Sequence, residues 1–176
     1  MNENKASKSR IVAFGAVGAA LGAVFLTIGA YTGLGEFFWY FIASVCVMIT
    51  FHNHSIVGSV MTFVSCCLLS LAASGFNIAF LLPYIIFFGA YPIANYIENR
   101  YKVNKVLMIV ITCVWFDVSL YVFYLFTKLF VTQIEWINDF IIPIIAVMGT
   151  LVFFGYRIMM QRLQKKIDRR FGRLNR

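Results

Sequence analysis

Residues 5–33 read KASKSRIVAFGAVGAALGAVFLTIGAYTG. Three cations, Lys5, Lys8 and Arg10, stand before an uncharged run from Ile11 to Gly33. A helix that crosses a bilayer needs ~20 predominantly apolar residues. This run is long enough, and it exceeds the ~7–15-residue apolar core of a cleavable signal. The expectation is a first spanning helix that stays attached.

The same alternation continues along the chain. Apolar blocks recur at about 11–33, 36–51, 55–75, 77–98, 105–130 and 137–157, within 176 residues that are 61% hydrophobic and 12% charged. Soluble domains carry roughly 25% charged residues. The blocks are continuously apolar and lack the period-two alternation of barrel strands, so helices are expected. The fold class read from sequence is all-α: a polytopic membrane protein, one six-transmembrane-helix bundle over residues 1–176.

Charge orients that bundle. Fourteen of the fifteen Lys and Arg residues fall in three clusters: before the first block, at Arg100, Lys102 and Lys105, and from Arg157 to Arg176. Lys and Arg in short loops mark the cytoplasmic side. Both termini and the 99–105 loop are therefore expected inside. The opposite loops hold only Lys128 among basic residues, beside Glu36, Glu135 and Asp139. Topology accounts for the net charge of +8, so it is not read as a nucleic-acid signal. The 51–55 turn is the one cytoplasmic turn without Lys or Arg.

Catalytic and metal motifs are absent from the sequence. Cys46, Cys66, Cys67 and Cys113 lie within apolar blocks, where Cys acts as a small hydrophobe, and no disulfide or metal spacing is visible. His52-Asn53-His54 has no nearby partner to complete a metal site. No cofactor, metal or enzymatic activity is expected.

The faces of the helices carry what remains. Span one has small residues nearly all round: Gly18 and Gly22 form GxxxG, and Ala16 with Ala20, and Ala19 with Ala23, form its alanine analogues. Small residues four apart let helix backbones approach closely. Neighbours on two sides are expected, either all within the bundle or with one side docking a separate membrane protein. In span three, Ser55, Ser59, Thr62, Cys66 and Ser70 share one face, read as a packing seam. In span four, Asn77, Tyr84, Tyr91, Asn95 and Glu98 share a face, and Pro83 and Pro92 interrupt the same helix. Each proline removes a donor and frees a carbonyl one turn back. Freed backbone groups at membrane depth survive only within protein or beside a water-filled cavity, so this helix reads as a kinked cavity wall.

Span five holds Asp117, twelve residues past Lys105, or ~18 Å along a helix. That depth is near the middle of a ~30 Å core, where an intramembrane acid is a functional hypothesis by default. Tyr121, Tyr124 and Lys128 follow on the same face. The alternative is an Asp that only fastens two helices. Trp39, Tyr40 and Trp136 read as interfacial anchors, while Asn138, Asp139 and Pro143 stand at the outer mouth of span six. In the tail 158–176, Met160, Leu163, Ile167, Phe171 and Leu174 recur between cations, the pattern of a basic amphipathic helix on anionic lipid or in a partner's acidic groove.

The six spans, the alanine- and glycine-rich first helix and the short second span resemble the substrate-binding (S) component of energy-coupling factor (ECF) vitamin transporters. The stretch Phe87-Phe-Gly-Ala-Tyr-Pro-Ile-Ala-Asn-Tyr-Ile-Glu98 resembles segments of small bacterial membrane proteins of this general type. The resemblance implies a plasma-membrane protein that binds a small nutrient and docks on a transmembrane coupling subunit carrying two ATPases. It maps the docking face onto Ala16 and Ala20, with Ala19 and Ala23 as the other register, around Gly18 and Gly22. It makes Asp117, Tyr121, Tyr124 and Lys128, with Tyr84, Tyr91 and Asn77, the substrate-binding candidates. Two readings of other classes stand beside it: a structural or assembly membrane protein, and a small proton-coupled transporter using Asp117.

Overall fold

The computed structural model describes residues 3–33, 35–50, 56–101, 104–128 and 135–174, with backbone alone at 3–8, 126–128, 135–146, 168 and 170–174. The helices are α1 (Glu3–Thr32), α2 (Glu36–Ile49), α3 (Ile56–Ala73), α4 (Ile78–Pro83), α5 (Tyr91–Tyr101), α6 (Lys105–Lys128) and α7 (Glu135–Leu174), with a π turn at Tyr84–Phe88 between α4 and α5. No strand occurs among the described residues, so the all-α expectation holds. Four helical stretches are long and apolar enough to cross a membrane: Ser9–Thr32, Ile56–Ala73, Ile78–Tyr101 and Lys105–Leu125. The shorter Glu36–Ile49 is apolar too.

Turn chemistry sets the ends. Gly33 and Gly35 both adopt positive φ, near +62° and +65°, which only glycine does without a Cβ penalty. Together they reverse the chain between α1 and α2. After α3, Gly75 takes the left-handed position while the Phe76 amide donates back to the Leu71 carbonyl at 2.9 Å, a Schellman closure. Asn77 then caps α4 by accepting from the Phe80 amide at 3.1 Å, satisfying one of the orphan donors of a helix start. Asn104 does the same for α6, accepting from Val106 at 3.0 Å.

Packing follows residue size. α1 lies against both α2 and α3. A Cβ on Gly22 would come within 2.7 Å of Cys66 Sγ, and one on Gly18 within 3.0 Å of the Cys46 carbonyl. Glycine is what allows that approach. The α3 face is buried as a seam at Ser59, Thr62, Cys66 and Ser70, with Ser59 Oγ 2.8 Å from Thr50 Oγ1. Ser55 and His52 to His54 lie outside the described residues.

Within Ile78–Tyr101 an apolar 18-residue window is 56% buried, against 28% or less for the corresponding windows of the other three long apolar stretches. It is the bundle's central helix. Its rings, from Phe80 to Tyr91, interlock with Tyr40 of α2, Phe116 of α6, and Phe153 and Tyr156 of α7.

One element differs from the sequence reading. α7 is continuous over 40 residues, ~60 Å long or about twice a hydrocarbon core. Met160 is fully buried, and Leu163 and Ile167 pack on the same core. The first part of the tail's apolar stripe is thus spent inside the molecule, not on a surface. The side chains of Phe171 and Leu174 lie outside the described residues.

Candidate functional site

The break in the central helix organises the polar groups. Pro92 has no amide proton, so the Phe88 carbonyl four residues back loses its helical partner. Ser44 Oγ takes it at 2.6 Å and Tyr156 OH at 3.3 Å. Ser44 Oγ also lies 2.7 Å from the Tyr40 carbonyl, so one hydroxyl proton serves two acceptors. At the other end of the break the Tyr84 amide turns to the Leu81 carbonyl. The Phe80 carbonyl is then taken by Tyr40 OH at 2.5 Å. Gly89 closes the π turn, donating to the Tyr84 carbonyl at 2.8 Å. A side chain there would run into the rings of Phe63 and Tyr84. The Phe80 and Phe88 carbonyls therefore accept from protein hydroxyls of α2 and α7.

One turn beyond the break, α5 turns its polar stripe onto α7. Arg157 donates from Nη2 to both carboxylate oxygens of Glu98, at 2.6 and 2.9 Å. Its Nη1 reaches Tyr91 OH and Thr112 Oγ1, each at 3.5 Å. Both side chains are nearly sealed, 6% and 4% exposed. One guanidinium nitrogen thus spans both carboxylate oxygens in a charge-assisted contact. Seven residues further along α7, Gln164 Oε1 accepts from Asn95 Nδ2 and, at 3.3 Å, from Asn99 Nδ2. Asn95 Oδ1 is buried and has no hydrogen-bond partner among the described residues. Two hydrogen-bonded clusters, Arg157 with Tyr91, Glu98 and Thr112, and Gln164 with Asn95 and Asn99, thus form a polar knot joining α5, α6 and α7.

Asp117 sits apart from this knot, on the α6 face toward α7. Its Oδ1 is buried without a hydrogen-bond partner among the described residues. Opposite it lies Gly149, where a Cβ would come within 2.7 Å of that oxygen. One turn away Cys113 Sγ meets Thr150 Oγ1 at 3.9 Å. Tyr121 is 42% exposed and Tyr124 half-buried. Lys128 ends α6, and its side chain lies outside the described residues, as do those of Trp136, Asn138, Asp139 and Pro143.

The remaining candidates are placed as follows. Tyr84 and Tyr91 are completely buried in the aromatic core, Tyr84 with its hydroxyl 3.6 Å from Cys66 Sγ. Asn77 is an exposed helix cap. On α1 the two alanine registers separate. Ala19 and Ala23 are 3% and 7% exposed and face α2 and α3 with Gly18 and Gly22, whereas Ala16 and Ala20 are exposed. No group of three metal-ligating side chains occurs among the described residues.

Sequence reasoning picked out Tyr91, Asn95 and Glu98 by spacing but did not find their partners. Arg157 was counted among the topology cations, and its position at the boundary of apolar and basic sequence was the available signal. Gln164, Thr112 and Ser44 carried none. No protein-family model, curated protein or solved structure matches the chain.

Proposed function

We propose that the chain is a multi-pass protein of a bacterial plasma membrane, termini inside, serving as the substrate-binding subunit of an ECF-type uptake transporter. The observation that carries this reading is the division of α1. The glycines and Ala19 and Ala23 are used up within the bundle, while Ala16 and Ala20 stay on the outward face with Val17, Leu21 and Val24. A small-residue stripe left open on a helix already packed on two sides suits a second membrane helix, because lipid gives no reason to keep that side small. On this reading the open alanines dock the coupling subunit, and the candidate ligand stripe runs along α6 from Asp117 to Lys128. Substrate is a small molecule, and nucleic acid plays no part.

The test uses the two registers against each other. Ala16→Leu with Ala20→Leu should abolish co-purification of the coupling and ATPase subunits and leave bundle stability unchanged. Ala19→Leu with Ala23→Leu should unfold the bundle. A complex that survives the outward pair contradicts the proposal.

A structural or assembly role is the second reading. It is favoured by the burial of Tyr84 and Tyr91 and by the closed pairing of Glu98 with Arg157, which spend polar groups on cohesion. It expects no small molecule to accompany the natively purified protein.

A further inference from the structure

Asp117 is the thirteenth of the 24 residues of α6, so its carboxyl lies at the middle of an apolar helix. An ionised carboxylate at such a depth is costly unless it is compensated. The protein shows how it compensates a buried acid: Glu98 receives a guanidinium in two-point contact. At Asp117 Oδ1 no such partner occurs among the described residues. This oxygen stands with Leu120 and Phe116 of its own helix against Gly149 of α7. Among the described side chains, the titratable groups on its face are Cys113, Tyr121 and Tyr124, none of them a cation. Lys128 lies eleven residues along, roughly 16 Å by helical rise. Gly149 gives the carboxyl room against α7 and offers it no side chain. The seam is not sealed, because Asp117 itself is only half-buried.

We propose that Asp117 is a proton-binding site. The carboxyl is neutral in the assembled bundle, and the bound proton occupies the place that Arg157 fills for Glu98. Protein does not enclose the carboxyl on one side, and exchange into heavy water reads whether water reaches it. This holds whether or not α1 docks a coupling subunit, so the two proposals fail separately.

Infrared spectroscopy of the whole protein in lipid bilayers at neutral pH tests it. The chain has three aspartates, Asp117, Asp139 and Asp168, so isotope-labelled aspartate isolates three carboxyl signals. The expected result is a protonated-carboxyl carbonyl band that Asp117→Asn removes and that shifts in heavy water. Should Asp117→Asn fail to assemble, Asp139→Asn with Asp168→Asn leaves Asp117 as the one labelled carboxyl and reads the same band. An ionised carboxylate band from Asp117 overturns the proposal. So does a protonated band that never shifts in heavy water, which marks a locked structural proton.

Discussion

Glu98, near the end of α5, faces a guanidinium from α7, whereas Asp117, midway along α6, faces the bare backbone of Gly149 from that same helix. One α7 surface therefore meets two acids in two ways. At Arg157 it brings a cation and a neighbouring Gln164, and the knot closes α5 on α7. At Gly149 it brings only space. Pairing a buried acid makes it a structural element, since two charges hold two helices in one register. Leaving an acid unpaired keeps it chemically available. On the proposed topology the paired acid lies toward the cytoplasmic end and the unpaired one near the midplane.

The largest effect is expected from breaking the pair. Arg157→Leu strands the Glu98 carboxylate in a sealed site, which costs about 3–5 kcal/mol of stability. Replacing both partners, Glu98→Leu with Arg157→Leu, should recover most of the loss. Reversible unfolding in lipid–detergent micelles measures both variants. A double variant as weak as the single one would mean that the knot is held by its amides and hydroxyls instead.

A smaller effect is expected at the other acid. Gly149→Ala places a methyl group within 2.7 Å of Asp117 Oδ1, an overpacking that typically costs about 1–3 kcal/mol. Shortening the acid with Asp117→Ala in the same chain should relieve it. If the two substitutions are simply additive, Gly149 is small for a reason unrelated to Asp117.

How much of this was legible beforehand depended on whether a rule is local. Helix positions, the break at Pro83 and Pro92 and the inward stripe Tyr91–Asn95–Glu98 follow from spacing and from the missing amide of proline. The orphaned Phe88 carbonyl is likewise implied by Pro92. That Ser44 and Tyr156 donate to it is not, because a partner more than forty residues away along the chain is fixed by packing. Arg157 was hidden for a different reason. Eight cations at one end of a chain all satisfy the same topology rule, and only the fold shows that one of them points inward. On α1, small residues cover the whole circumference, so no periodicity could separate Ala16 and Ala20 from Ala19 and Ala23. The positions of α2 and α3 make that division. In the tail, periodicity does not say what covers an apolar stripe, and for Met160, Leu163 and Ile167 it is the protein's own core.

The contrast between the two acids is tested most directly by neutralising each in turn and comparing stability in the same bilayer. Glu98→Gln removes the charge that Arg157 pairs with and should cost on the order of 3 kcal/mol, because the guanidinium is left buried and uncompensated. Asp117→Asn should leave stability nearly unchanged, since a neutral carboxyl and an amide differ little in that seam. A loss at Asp117→Asn equal to that at Glu98→Gln would contradict the account and make Asp117 a structural fastening like Glu98.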